Sequence, residues 1–311
     1  MVFRIILFIV LVAYFAIRWR RKADKSWTDY GFGLKETEHI LKLLQKQDYE
    51  SAEKGLLSLE TNKLSHALVH IPLSLKEDDL KHWLANSVHD DLPNLFLGAY
   101  HQHRAWMERS HGTGGELNDE QVKGFRKHQI IAFNYLHEVS DTFPKILGEA
   151  YVKLVAIHRG HSEFEEAMAY FEMAKELIPD NVMLYVEKAE TIQPKWGGSV
   201  ELTSRFMDEL PDSKLIRQVI ETKLIVEGHD WNTNYLGGSL AELHQQAKKT
   251  LYQIDKDVTL NPPTSVHRFM LYGYMILLAQ MVENKRLVAK YDKLIGRNLP
   301  LHPFGVPAIK A

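Results

Sequence analysis

The chain is expected to be all-α, built from antiparallel helical hairpins stacked side by side behind one hydrophobic N-terminal segment. Three observations carry this expectation. From Leu34 onward, apolar residues recur at helical spacing and no run alternates as a strand would. The breaks between periodic runs are short, which sets successive helices antiparallel. Residues 5–17 read IILFIVLVAYFAI, unbroken by any charge.

That first run is thirteen residues long, against about 20 for a full membrane span. Its flanks extend it. Val2 and Phe3 add apolar surface, Arg4 and Arg18 can snorkel to the headgroups, and Trp19 suits the interface. The exit, RWRRK, lacks the small-residue pattern of a signal-peptide cleavage site. An uncleaved anchor is the preferred reading; a signal peptide or a core helix is the alternative. Arg18, Arg20, Arg21, Lys22 and Lys25 follow the run, against Asp24, while only Arg4 precedes it. The positive-inside rule then puts the N-terminus outside and the rest in the cytoplasm, with residues 2–19 in the bilayer. The expected organisation is an anchor and basic flank over 1–22, a linker over 23–33, a helical domain over 34–297 and an irregular tail over 298–311.

Within the helical domain, residues 35–59 carry two amphipathic stretches broken at Gln47-Asp48-Tyr49. Leu80, Trp83 and Leu84 begin another, and Leu95 to Trp106 continue the pattern. His111 to Gly115 (HGTGG) reads as a flexible loop, with Asn118 and Gln121 placed to cap the helix that follows. Periodic runs then cover residues 125–143, 146–157, 164–178, 184–192, 202–210, 215–226, 240–254, 266–282 and 287–295. The run FMLYGYMILLAQMV at 269–282 is too short and interrupted to span a bilayer, and a buried core helix is expected. Pro144, Pro179 and Pro211 stand where they can stop helices.

Two Gly-Gly-Ser turns repeat. Gly197, Gly198 and Ser199 precede Val200-Glu201-Leu202; Gly237, Gly238 and Ser239 precede Leu240-Ala241-Glu242. Glycine permits a positive φ or a close backbone approach, and serine can cap the helix that follows.

Ala167, Phe171, Ala174 and Pro179, with Tyr151 and Leu154 upstream, resemble the second and first helices of a tetratricopeptide repeat, although Val155 replaces the usual first-helix glycine. Asp48 to Ala52 with Leu56 and Leu59 resembles the same second helix more weakly. The stretch Ile192-Gln193-Pro194-Lys195-Trp196-Gly197-Gly198-Ser199, after a helix ending at Pro179, is similar to an uncharacterised bacterial family with tetratricopeptide-like helices and a Trp-Gly-Gly-Ser turn. The resemblance implies a tetratricopeptide-like α/α solenoid and a bacterial source. It implies no catalytic role.

Composition narrows the chemistry. Cysteine is absent, which removes disulfides, thiolate metal sites and cysteine nucleophiles. A net charge of −2 argues against a nucleic-acid binder. Sixteen histidines are present. His66 and His70 would share a helix face, but lack the H-E-x-x-H pattern; His101 and His103 would diverge. No Ser-His-Asp elbow occurs. Neither a metal nor a cofactor is expected. A hairpin stack commonly binds partners in a concave groove lined by first helices. The candidates there are Tyr100, His103, Arg104, Tyr151, His158, Tyr185 and Lys188, with Trp196 presented by its turn. The expected function is a protein–protein interaction or scaffold module on the cytoplasmic face of a bacterial inner membrane, with a protein or peptide partner. The alternatives are an enzyme with a His-rich central site and a regulatory or immunity-type binding protein.

Overall fold

A computed structural model describes residues 34–109, 117–260 and 266–295, the last segment with side chains from Met270 onward. The anticipated anchor, linker, His111–Gly115 loop and C-terminal tail lie outside these residues. Among the described residues the protein is all-helical, with fourteen α-helices, one short 3-10 turn and no strand. No helix among them is long and apolar enough to cross a membrane.

In chain order the helices are α1 (Lys35–Gln45), α2 (Tyr49–Ser58), α3 (Thr61–Ser74), α4 (Glu77–Ala85), α5 (Asp91–Arg109), α6 (Asp119–His137) and α7 (Pro144–Gly160). They continue with α8 (Phe164–Leu177), α9 (Val182–Thr191), the 3-10 turn Pro194–Trp196, α10 (Val200–Glu209), α11 (Lys214–Asp230), α12 (Leu240–Leu260), α13 (Val266–Met281) and α14 (Lys285–Ile295). Local chemistry sets many ends. Asp48, Asn118, Asn181, Ser199 and Ser213 each accept a backbone N–H as N-cap. Asn118 and Gln121 complete a reciprocal capping box. Pro144 occupies the first turn of α7, so it starts a helix where a stop was expected: its missing N–H would have had no partner there anyway.

The consecutive helices that pack against each other include the pairs α1–α2, α5–α6, α7–α8, α11–α12 and α13–α14. Cross-contacts show the antiparallel sense. His101 meets His128 and Trp106 meets Phe125 across α5–α6; Gln218 bonds Asp257 and Thr250 bonds Glu221 across α11–α12. By contrast, α4 packs on α5 and α10 on α11. The odd-numbered helices also touch one another in succession from α1 to α13, forming a continuous inner layer.

The inner layer wraps around α3, which additionally meets α9 and α13. Nine consecutive residues of α3, Leu64 to Pro72, are buried. A helix buried on every side has no polar face, and its polar groups need internal partners. They find several. Ser65 Oγ donates to Glu149 Oε1 of α7 at 2.5 Å, and the Asn181 amide donates to the same oxygen at 2.7 Å. Asn62 accepts from Val182 N–H at 3.1 Å. Pro72 cannot supply the N–H that would normally bond the Leu68 carbonyl; His103 Nε2 of α5 lies 3.2 Å from that oxygen and replaces the missing donor. Two apolar clusters meet at this axis. One runs from Ile40 to Ile157, the other from Val152 to Ile295 with Val69 of α3.

Candidate functional site

Trp196 stands at a corner built by its own turn. Gly197 has φ +96°, a conformation that costs an L side chain strain. At Gly198 an added Cβ would lie 1.9 Å from the Ile192 carbonyl oxygen, so the backbone crosses here without room for a side chain. Gly198 N–H donates to Gln193 O and Ser199 N–H to Ile192 O, each at 3.1 Å. Ser199 then caps α10 through Leu202 N–H at 3.1 Å. The second turn is built differently: both Gly237 (φ +88°) and Gly238 (φ +99°) are left-handed, and Ser239 with Glu242 closes the start of α12.

The indole of Trp196 is fixed from within. Its N–H donates to Glu190 Oε1 at 3.0 Å. Glu190 belongs to a buried ionic network with Lys195, Lys223 and Glu227. Lys195 Nζ lies 2.8 Å from Glu190 and 3.3 Å from Glu227. Lys223, whose side chain is 1 % exposed, contacts both carboxylates. Gln193 donates to Glu227 Oε2 at 2.5 Å. Burial alone would raise the Glu190 carboxyl; Lys223, Lys195 and Arg159 outweigh it and hold it well below the ordinary carboxylate range. Next to the network, Arg159 of α7 pairs with Glu187 at 2.5 Å.

On its outer side Trp196 meets Trp106 edge to face, with centroids 6.1 Å apart. Two guanidinium groups flank this pair. Arg109 lies 5.4 Å from the Trp106 ring centre and 5.7 Å from that of Trp196; Arg159 lies 5.9 and 5.7 Å away. Unlike Arg159, Arg109 has no carboxylate within ion-pair distance among the described residues. Burial draws its guanidinium below the ordinary value. Beside it opens a cavity of ≈ 260 Å³. Its walls are Trp196, Val122, Phe125 and Leu117, with Arg109, Arg126 and the α7–α8 turn at His161 and Ser162 around them. Among the described residues, no acidic one lines it.

The other residues singled out in the sequence fall into separate surroundings. Tyr100 is half-buried, edge-on to His101 at 5.3 Å. His103 is buried on Leu68 O, and Arg104 pairs with Glu108 at 3.3 Å. His158 stacks on Tyr170 at 5.1 Å with Nδ1 2.7 Å from Glu163, and Tyr151 lies near the same Tyr170 at 5.6 Å. Tyr185 is buried and donates to Pro179 O at 2.8 Å. Lys188 sits over Phe171 (4.3 Å) and Phe206 (5.0 Å). Thus Tyr151 joins His158, and Tyr185 and Lys188 share Phe171. They do not converge with Trp196 on one surface. Of the odd helices, α1, α5, α9 and α13 pack on α3, whose residues Leu64 to Pro72 are buried.

The histidines form separate contacts: His66 stacks with His70 at 6.1 Å, His101 with His128 at 5.2 Å, and His158 stands near Phe133 and Tyr170. Among the described residues no three His, Asp or Glu side chains are grouped to hold a metal ion. The residues missed from sequence are Arg159, Glu190, Lys223 and Glu227. One signal was present: Lys223 interrupts the apolar run Val219-Ile220 to Leu224-Ile225-Val226, with Glu227 four residues on. No family model, curated protein or solved structure matches the chain.

Proposed function

We propose that this protein is a membrane-tethered, tetratricopeptide-like helical-repeat module that binds a partner protein through the Trp196 corner. The single observation that carries the reading is Arg109, a half-buried cation over two indole rings, with no carboxylate partner and no acidic cavity wall among the described residues. A desolvated, unpaired cation next to aromatic surface is chemistry suited to an anionic group on another molecule. The buried network behind it holds Trp196 in place before any partner arrives, which lowers the ordering cost of association. The apolar run at residues 5–17 and its basic exit support the tether, with the helical domain on the cytoplasmic face of a bacterial inner membrane.

The test is co-purification from detergent-solubilised membranes using the full chain with a C-terminal tag. Wild type is expected in the membrane fraction with one protein retained stoichiometrically, and Trp196→Ala is expected to lose that protein while staying folded. Recovery in the soluble fraction would defeat the tether. A retained protein indifferent to Trp196→Ala would defeat the binding corner.

A further inference from the structure

Resting on the reading above, we infer that the cavity beside Trp196 takes the C-terminal carboxylate of a partner polypeptide whose last residue is apolar or aromatic. Among the described residues the cavity presents Arg109, Arg126 and His161 and no acidic side chain, so this polar lining favours an anion. Its remaining walls include Val122, Phe125 and Trp196, which favour an apolar body. At ≈ 260 Å³ it falls below the roughly 300–1,000 Å³ of sites for drug-sized ligands. It matches a single side chain and its carboxylate better than a nucleotide or an extended helix.

The geometry of Arg109 bears on the kind of anion. A guanidinium can donate two parallel bonds to a coplanar carboxylate. A C-terminal residue carries a carboxylate and a side chain on the same Cα, diverging from one another. One arm can meet the arginine while the other enters the apolar wall. An internal aspartate or glutamate places its carboxylate at the end of the side chain and offers no such second arm. Capture of a chain end in this way is an established mode of peptide recognition. Because Arg109 has no ion pair among the described residues, replacing it strands no buried counter-charge.

The experiment titrates the full chain in detergent with pentapeptides ending in Leu, Phe or Trp, each as free acid and as amide. N-acetyl-phenylalanine and inorganic phosphate serve as small-anion probes, and tryptophan fluorescence and calorimetry are the readouts. At least one free-acid peptide is expected to bind, with amidation weakening it roughly tenfold or more, as loss of a charge-assisted hydrogen bond implies. Arg109→Gln is expected to abolish the preference for the acid, and Arg109→Lys to restore part of it. Equal binding of acid and amide, no binding of any peptide, or an unchanged preference in Arg109→Gln would overturn the inference. N-acetyl-phenylalanine, which carries the same two arms, is expected to bind as well; phosphate binding as tightly as the peptide would overturn the inference by marking a small-anion site. If every peptide fails while co-purification still depends on Trp196, the ligand class is wrong and the interaction reading stands. If both fail, both readings fall.

Discussion

Exchanging the two glycines of the Trp196 turn for alanine, one at a time, separates two physical causes within one motif. At Gly197 an added Cβ meets nothing within 4 Å, so Gly197→Ala carries only the strain of φ +96°, about 1–2 kcal/mol for an L residue. At Gly198 the Cβ would lie 1.9 Å from Ile192 O and 2.2 Å from its carbonyl carbon. An ordinary carbon–oxygen contact is about 3.3 Å, so the strands of the turn must part by more than an ångström. That movement breaks Gly198 N–H to Gln193 O and Ser199 N–H to Ile192 O, at a net of about 1 kcal/mol each. Forcing the methyl into a packed site adds about 1–3 kcal/mol. Gly198→Ala is therefore expected to destabilise the protein by about 4 kcal/mol, at least twice the effect of Gly197→Ala. Urea unfolding of the full chain, followed by circular dichroism, measures both. Trp196 emission reports the turn itself, and only Gly198→Ala should shift it in the native state. Equal losses, or a Gly198→Ala protein as stable as wild type, would refute the account of the turn.

Three further outcomes are expected. Burial raises the Glu149 carboxyl from 4.5 to about 7 despite the bonds from Ser65 and Asn181. Above pH 4.5 the unfolded chain binds fewer protons than the native one, so this group's stabilising contribution is full at low pH and is lost as pH rises through about 7; the shift corresponds to about 3 kcal/mol. Glu149→Gln should remove that slope, visible as a wild-type-minus-variant stability difference between pH 5 and 8; a parallel pair of curves would contradict it. His103→Phe should cost about 1–3 kcal/mol by leaving Leu68 O without its donor, and adding Pro72→Ala should recover much of the loss in urea unfolding by restoring an N–H to the helix; additive losses would show that the His103–Leu68 bond is not the cause. Lys223→Met leaves Glu190 and Glu227 buried with Lys195 as their remaining lysine partner, and thermal unfolding should register a loss of about 3–5 kcal/mol; a neutral effect would mean that the network relaxes around the change.

The helical class was legible because most helices bury one face. In α8, for instance, Ala167, Phe171 and Ala174 are buried at their helical spacing while Glu165, Glu166 and Glu172 remain outside. The central helix was not legible for the opposite reason. Residues 64–72 are buried all round, so no amphipathic stripe marks them, and Ser65, His66, His70 and Pro72 disguise an internal helix as a polar, broken segment. Its position also decides what His103 does, which is to satisfy the Leu68 carbonyl; Tyr185 bonds locally to Pro179 O. Trp196 was visible through its Gly-Gly turn. Its surroundings were not, because Trp106, Arg109, Phe125 and Arg159 come from α5, α6 and α7 and converge on it only by packing.

The most direct test of the central claim is site-specific photo-crosslinking in intact membranes. A photoreactive residue replaces Arg126, an exposed cation at the edge of the cavity, in a chain that keeps Arg109. The account predicts one protein adduct from this position, lost when Arg109→Gln is added and absent when the same photoreactive residue replaces Gln245 on α12. An adduct that forms equally without the Arg109 guanidinium, or equally from Gln245, would contradict it.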